Sequence, residues 1–149
     1  MIRRTFALLL FATLVSIPAQ LTAGSKALVD ISSSYDTSDG WMHAILVYPL
    51  KVDGKNFKAF FRHIDVYPGT HTFALYSTRG LGFLKGLGIS LATVSATLQA
   101  GVKYKTVGKF DGARMHVWIV EAKSRKRVST IGSAGYVVCR PNQYRDCMQ

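Results

Sequence analysis

Acidic residues are scarce in this chain. Eight Asp and Glu stand against 19 Lys and Arg in 149 residues, a formal net charge of +11. The shortage works against chemistry built on paired carboxylates, such as ordinary glycoside hydrolysis. Three of the eight, Asp39, Asp53 and Asp111, stand directly before a glycine and already have a turn to make. Cysteine is scarcer still: Cys139 and Cys147 are the only two, both near the C-terminus, and they do not form the Cys-x-x-Cys of a redox centre. The four histidines, His43, His63, His71 and His116, have neither the i, i+4 spacing of a helical zinc site nor the i, i+2 spacing of a strand chelate. No metal and no cofactor is expected. Gly-x-Ser-x-Gly, Gly-x-x-x-x-Gly-Lys-Ser/Thr and Gly-x-Gly-x-x-Gly are all missing, so the chain carries neither a nucleophile elbow nor a phosphate-binding loop motif. These gaps point away from an enzyme.

Long apolar runs are also few. The longest is Phe6 to Ile17, preceded by Arg3 and Arg4 and followed by Pro18, then by the small residues Ala19, Ala23 and Gly24. A basic head, a short apolar middle and small residues make an export signal. The run is shorter than the about 20 residues that a spanning helix requires. We therefore expect residues 1–23 to be a signal peptide helix, with Ala19, Ala23 and Gly24 as the candidate cleavage points and Ala23 favoured. No cysteine sits near that point to be acylated. Arg3-Arg4-Thr5-Phe6 matches the core of a twin-arginine signal, but three consecutive leucines favour the general secretory route. The expected location is the periplasm or cell envelope, or the exterior.

Removing Arg3 and Arg4 lowers the net charge from +11 to +9. A field of that sign collects anions. For an exported protein these are lipid headgroups, lipopolysaccharide phosphates and acidic proteins, not nucleic acid. In an oxidising compartment Cys139 and Cys147 are expected to form one disulfide.

What the rest of the chain has in quantity is alternation with a period of two. Ala27 to Ser32, Trp41 to Val52, Phe57 to Tyr67 and Thr70 to Ser77 read as strands. Asp53-Gly54 and Asp111-Gly112 are tight-turn dipeptides, and Pro49 implies an edge or bend. Pro68-Gly69 reads as the structural turn of a hairpin, which would bring His63 and His71 near each other. Four glycines between 80 and 88 break the rhythm, so residues 79–91 read as a long apolar connection. From Val94 the alternation resumes. Val94, Ala96, Leu98, Ala100, Val102 and Tyr104 fall on one side, Thr93, Ser95, Thr97, Gln99 and Lys103 on the other, and Gly101 splits the run into two strands. Arg114 to Ala122 and Val128 to Ile131 complete the set. Seven to nine strands with frequent turns predict an all-β fold, an immunoglobulin-like antiparallel β-sandwich over residues 24–135. A disulfide-pinned tail, 136–149, follows it; a small closed barrel is the alternative architecture.

Two segments carry a resemblance: Ile64-Asp65-Val66-Tyr67-Pro68-Gly69-Thr70-His71-Thr72-Phe73 and Leu98-Gln99-Ala100-Gly101-Val102-Lys103-Tyr104. Together they resemble the PG-x-H … AG-x-x-Y pattern of small uncharacterised envelope proteins and lipoproteins of Gram-negative bacteria, PEGA-like in style. The likeness spans roughly residues 45–130 and implies an envelope sandwich without established catalysis.

Two groups are candidate binding residues. Lys123, Arg125, Lys126 and Arg127 form a basic turn suited to an anionic surface. Leu81, Phe83, Leu84 and Lys85 form an apolar loop with a central cation, suited to peripheral membrane contact. The expected function is a non-enzymatic envelope protein that docks to an anionic envelope component or protein. The alternatives are a structural or accessory subunit of an envelope assembly, and an unrecognised hydrolase or hydrolase inhibitor. Tyr67, Tyr76, Tyr104, Trp41 and Trp118 are candidates for a glycan-stacking platform.

Overall fold

The computed structural model describes residues 26–30, 43–56, 63–82, 85–143 and 147. The signal-peptide reading of 1–23, the Ser33–Gly40 turn, Trp41, Phe83 and Leu84 lie outside the described residues.

Inward-facing apolar residues at every second position build a two-layer β-sandwich, as the alternation predicts. One sheet has the order β4-β1-β7-β8-β9, from His63–Val66, Ala27–Asp30, Lys103–Phe110, Met115–Glu121 and Gly132–Ala134. The other has the order β10-β6-β5-β2-β3, from Val137–Cys139, Leu87–Leu98, Gly69–Gly80, Ile45–Val52 and Lys55–Asn56. Phe73 and Leu75 on β5, Val94 and Leu98 on β6, and Val47 on β2 face Tyr104 on β7 and Met115, Val117 and Ile119 on β8. The pairing is antiparallel except between β1 and β7, which run parallel. The segment expected to be a separate tail supplies β10.

Several local expectations are corrected. Pro68-Gly69 does not close a hairpin: β4 pairs with β1 and β5 pairs with β2 and β6, in different sheets. Pro68-Gly69 is a corner at which the chain crosses between layers, and Gly69 turns there with φ 131°. His63 and His71 are consequently in different sheets. The glycine-rich stretch is mostly strand. β5 and β6 form one hairpin whose register runs from Gly69↔Leu98 to Gly80↔Leu87. Its glycines serve packing: a Cβ on Gly86 would collide with the Cys139 carbonyl, and one on Gly88 would lie 3.0 Å from the Tyr136 ring. The last short strand falls at Gly132–Ala134, with only isolated bridges at Arg127 and Ser129. Pro49 sits where the register of β2 on β5 shifts; β3 pairs only with Lys51 and Val52, so nothing on the other side needs its missing N–H.

A second corner lies beside the first. β6 ends at Leu98, in register with Gly69, and the chain crosses through Gln99–Val102 to β7 in the other sheet. Gly101 takes φ 71° here, splitting the run as expected. A side chain pins each corner from the strand that leaves it. His71 Nε2 donates to the Tyr67 carbonyl at 2.8 Å. The Gln99 N–H donates to the Tyr104 hydroxyl at 2.7 Å, and Tyr104 itself is buried in the core. Both halves of the PG-x-H … AG-x-x-Y pattern thus have a structural role.

The layers touch most closely where β2 crosses β7. A Cβ on Gly108 would lie 2.6 Å from Val47 Cγ2, and the buried Thr106 hydroxyl donates to the Val47 carbonyl at 2.6 Å. Removing the Tyr104 hydroxyl tests the second corner. Tyr104→Phe leaves the Gln99 N–H without its acceptor, and denaturant unfolding is expected to show a loss of about 0.5–1.5 kcal/mol with an unchanged m-value.

Candidate functional site

The strongest concentration of charge follows from the parity of β7. Tyr104, Thr106 and Gly108 are buried, so Lys103, Lys105, Val107 and Lys109 face outward. The β7–β8 register places Trp118 beside Val107 and His116 beside Lys109. The basic turn after β8 adjoins the start of this row, where the Ala122 N–H donates to the Lys103 carbonyl at 2.8 Å. Lys123, Arg125, Lys126 and Arg127 are all exposed, and Arg125 holds the turn with φ 61°. The result is a basic face extending along β7, about 24 Å at some 3.4 Å per residue. Its acids are engaged locally. Asp65 lies 3.8 Å from Lys26, and Glu121 accepts from the Ser124 hydroxyl at 2.8 Å.

The apolar loop lies elsewhere. Leu81 and Lys85 sit at the tip of the β5–β6 hairpin, at the end of the sandwich where β7 turns into β8, whereas the basic turn is at the start of β7. The two candidate groups do not form one surface. Sequence reading missed Lys105 and Lys109 as partners of the basic turn; the signal was the spacing Lys103-x-Lys105-x-x-x-Lys109, which places three cations on one side of a strand. The glycan platform is dispersed as well. Tyr104 is in the core, Trp118 is on the basic face, and Tyr76 packs 5.0 Å from Tyr48 on the second sheet. Burial, and secondarily the neighbouring Tyr76, push the Tyr48 phenol up to about 12.

A cleft of about 650 Å³ opens at the hairpin-tip end, between the sheets. Arg79, Lys85 and Arg140 line it together with Leu81, Phe110, Tyr136 and Val138. Arg79 continues the inward series Phe73, Leu75, Ser77 on β5, and its guanidinium lies 3.9 Å from the Phe110 ring centroid. Pairing of β10 with β6 places the segment that carries Val138 and Arg140, and Cys139 and Cys147 are disulfide-bonded just beyond it.

Two histidines are tied to turn aspartates. Asp53 Oδ1 accepts from the Thr72 N–H at 2.9 Å, and Asp53 Oδ2 lies 2.6 Å from His71 Nδ1. With Nε2 on the Tyr67 carbonyl, His71 has no ring nitrogen left to act as a base. Asp111 accepts from the Ala113 and Arg114 N–H groups and lies 2.7 Å from His116 Nε2. Bonds from His71 and Thr72 hold the Asp53 carboxyl below its ordinary value of 3.8, and those from His116, Ala113 and Arg114 do the same for Asp111. Among the described residues, no three His, Cys, Asp or Glu are grouped to hold a metal ion, and no helix is long and apolar enough to cross a membrane. No protein-family model, curated protein or solved structure matches the chain.

Lowered carboxyl values make stability depend on acid. The contribution of Asp53 and Asp111 is complete above the unfolded value of 3.8 and is lost as pH falls through the lower folded values. The melting temperature of Asp53→Asn/Asp111→Asn is therefore expected to fall less between pH 5 and pH 2 than that of the parent. The disulfide gives a second expectation. Cys139→Ser/Cys147→Ser should lose about 2.5 kcal/mol in the chain-entropy account. Amide exchange should accelerate at 137–140 and stay unchanged at the centre of β5 and β6.

Proposed function

We propose that this is an exported, non-enzymatic cell-envelope protein that docks onto an anionic envelope surface through the outer face of the β4-β1-β7-β8-β9 sheet. The reading rests on one observation: alternation along β7 aligns Lys103, Lys105 and Lys109 with the exposed Lys123–Arg127 turn. A flat row of lysines suits an extended array of headgroup or lipopolysaccharide phosphates, because each ammonium interacts as a point charge without a shaped pocket. Trp118, half-buried beside Val107, has the amphipathic character favoured at such an interface. The apolar leader, the disulfide and the resemblance to Gram-negative envelope proteins support an exported location. An accessory-subunit role is the second reading, favoured by the exposure of Leu46, Leu91 and Val137 on the opposite sheet; crosslinking in intact cells would capture a stoichiometric partner.

Co-sedimentation of the mature chain with vesicles tests the proposal. Phosphatidylglycerol vesicles should retain the protein at about 50 mM salt and release it near 500 mM, because surface attractions are screened over that range. Phosphatidylcholine vesicles should not retain it. Lys103→Gln/Lys109→Gln should bind roughly thirty-fold more weakly, at about 1 kcal/mol per cation. Lys51→Gln, on the other sheet, should bind as the parent does. Equal retention by the two vesicle types would sink the reading.

A further inference from the structure

The cleft at the hairpin-tip end is separate from the basic face and has a different chemistry. We infer that it is a binding site for a single phosphorylated amphiphile: a phosphate group held at the rim by Lys85 and Arg140, with an aliphatic body lying against Leu81 and Val138.

The argument begins with charge. Lys85 and Arg140 are exposed at the rim, Arg79 lies deeper, and no described lining residue is acidic. A guanidinium fork beside an ammonium suits a phosphate, which accepts at several oxygens at once. Volume comes next. About 650 Å³ lies within the range of pockets that enclose drug-sized ligands, far more than a bare phosphate fills. The walls decide what fills the remainder. Leu81 and Val138 are aliphatic, and Val138 keeps 47% of its surface exposed. The aromatic pair does not offer a stacking slot. Arg79 covers Phe110 at 3.9 Å, and Tyr136 stands at 71° to Phe110, so these two rings do not form parallel walls for a planar base. Leu81 and Val138 give an alkyl chain a surface to lie against, beside the cations of the rim.

The walls are also built to hold their shape. Gly86 and Gly88 lack the side chains that would collide with the Cys139 carbonyl and crowd the Tyr136 ring. The tip is closed by bonds from the Leu81 N–H to Gly86 and from the Lys85 N–H to Gly82. Pairing of β10 with β6, from Val137↔Ile89 to Cys139↔Leu87, sets the segment with Val138 and Arg140 against it. A pre-shaped cleft loses little ordering entropy on binding.

Calorimetry on the disulfide-bonded mature protein provides the test, with three soluble probes: dihexanoyl phosphatidic acid, dihexanoyl phosphatidylcholine and inorganic phosphate. Phosphatidic acid should bind at least about tenfold more tightly than either of the others. Lys85→Gln/Arg140→Gln should lose at least about tenfold in affinity at an unchanged melting temperature. Lys103→Gln/Lys109→Gln should retain full affinity. Equal binding of inorganic phosphate would show an anion site indifferent to its walls. Equal binding of phosphatidylcholine, or no binding of phosphatidic acid, would also overturn the inference. If the rim variant destabilises the fold, Val138→Asn supplies the second measurement: it should weaken phosphatidic acid and leave inorganic phosphate unaffected, and no change in either would count against the site. Loss of this binding with salt-sensitive vesicle retention intact would defeat the cleft and leave the docking face standing.

Discussion

The sandwich depends on two crossings placed side by side. A chain that moves from one sheet to the other must leave its ladder, turn through the space between layers and rejoin a new ladder within a few residues. Here that happens at Tyr67–Gly69 and again at Gln99–Val102, and the register Gly69↔Leu98 puts the crossings next to each other. Each leaves a backbone polar group without a ladder partner. His71 supplies a donor for the Tyr67 carbonyl, and Tyr104 supplies an acceptor for the Gln99 N–H. Near water each such bond contributes on the order of 0.5–1.5 kcal/mol, in addition to the burial around it. Once both crossings are set, β5 and β6 are committed to one layer and β4 and β7 to the other. The direct approach of β2 to β7 across Gly108 then fixes the spacing.

The alternation made the fold class readable, because period two is a property of each strand alone. Turns with a strong local preference were readable for the same reason: Asp53-Gly54, Gly101 and Asp111-Gly112 fall where expected. Pro68-Gly69 was misread because a corner between sheets and a hairpin within one sheet make the same local demand. Which strand lies beyond the glycine is decided by partners far away in the chain. The stretch 80–88 was misread for a related reason. Its glycines look like breaks in a sequence, but two of them give room to Cys139 and Tyr136, more than forty residues later. The cleft was hidden altogether, since Arg79, Phe110, Tyr136 and Arg140 are scattered and share no motif. One clue was present, a cation at the fourth inward position after Phe73, Leu75 and Ser77, where a core would have another small or apolar side chain.

Charge is distributed by parity. On β7 the inward positions carry Tyr104, Thr106, Gly108 and Phe110, and the outward ones carry three lysines and a valine. The same strand therefore furnishes the core, the spacing between the layers, one aromatic wall of the cleft and most of the proposed docking face. A one-residue slip in its register would turn the lysines inward and the core outward, so the folding constraint and the charged face specify each other. The disulfide closes a loop directly after the short edge strand β10, whose pairing with β6 places Val138 and Arg140 at the cleft.

The first strand occupies an unusual place. β1 sits between β4 and β7, and Leu28 finds its parallel neighbour at Lys103, so the earliest segment of the domain is flanked by segments made much later. During synthesis it can meet β4 first, whereas its parallel partner β7 emerges only later. Long-range pairing of this kind slows folding. The strand order therefore postpones closure of this sheet until β7 has been made and can enter beside β1.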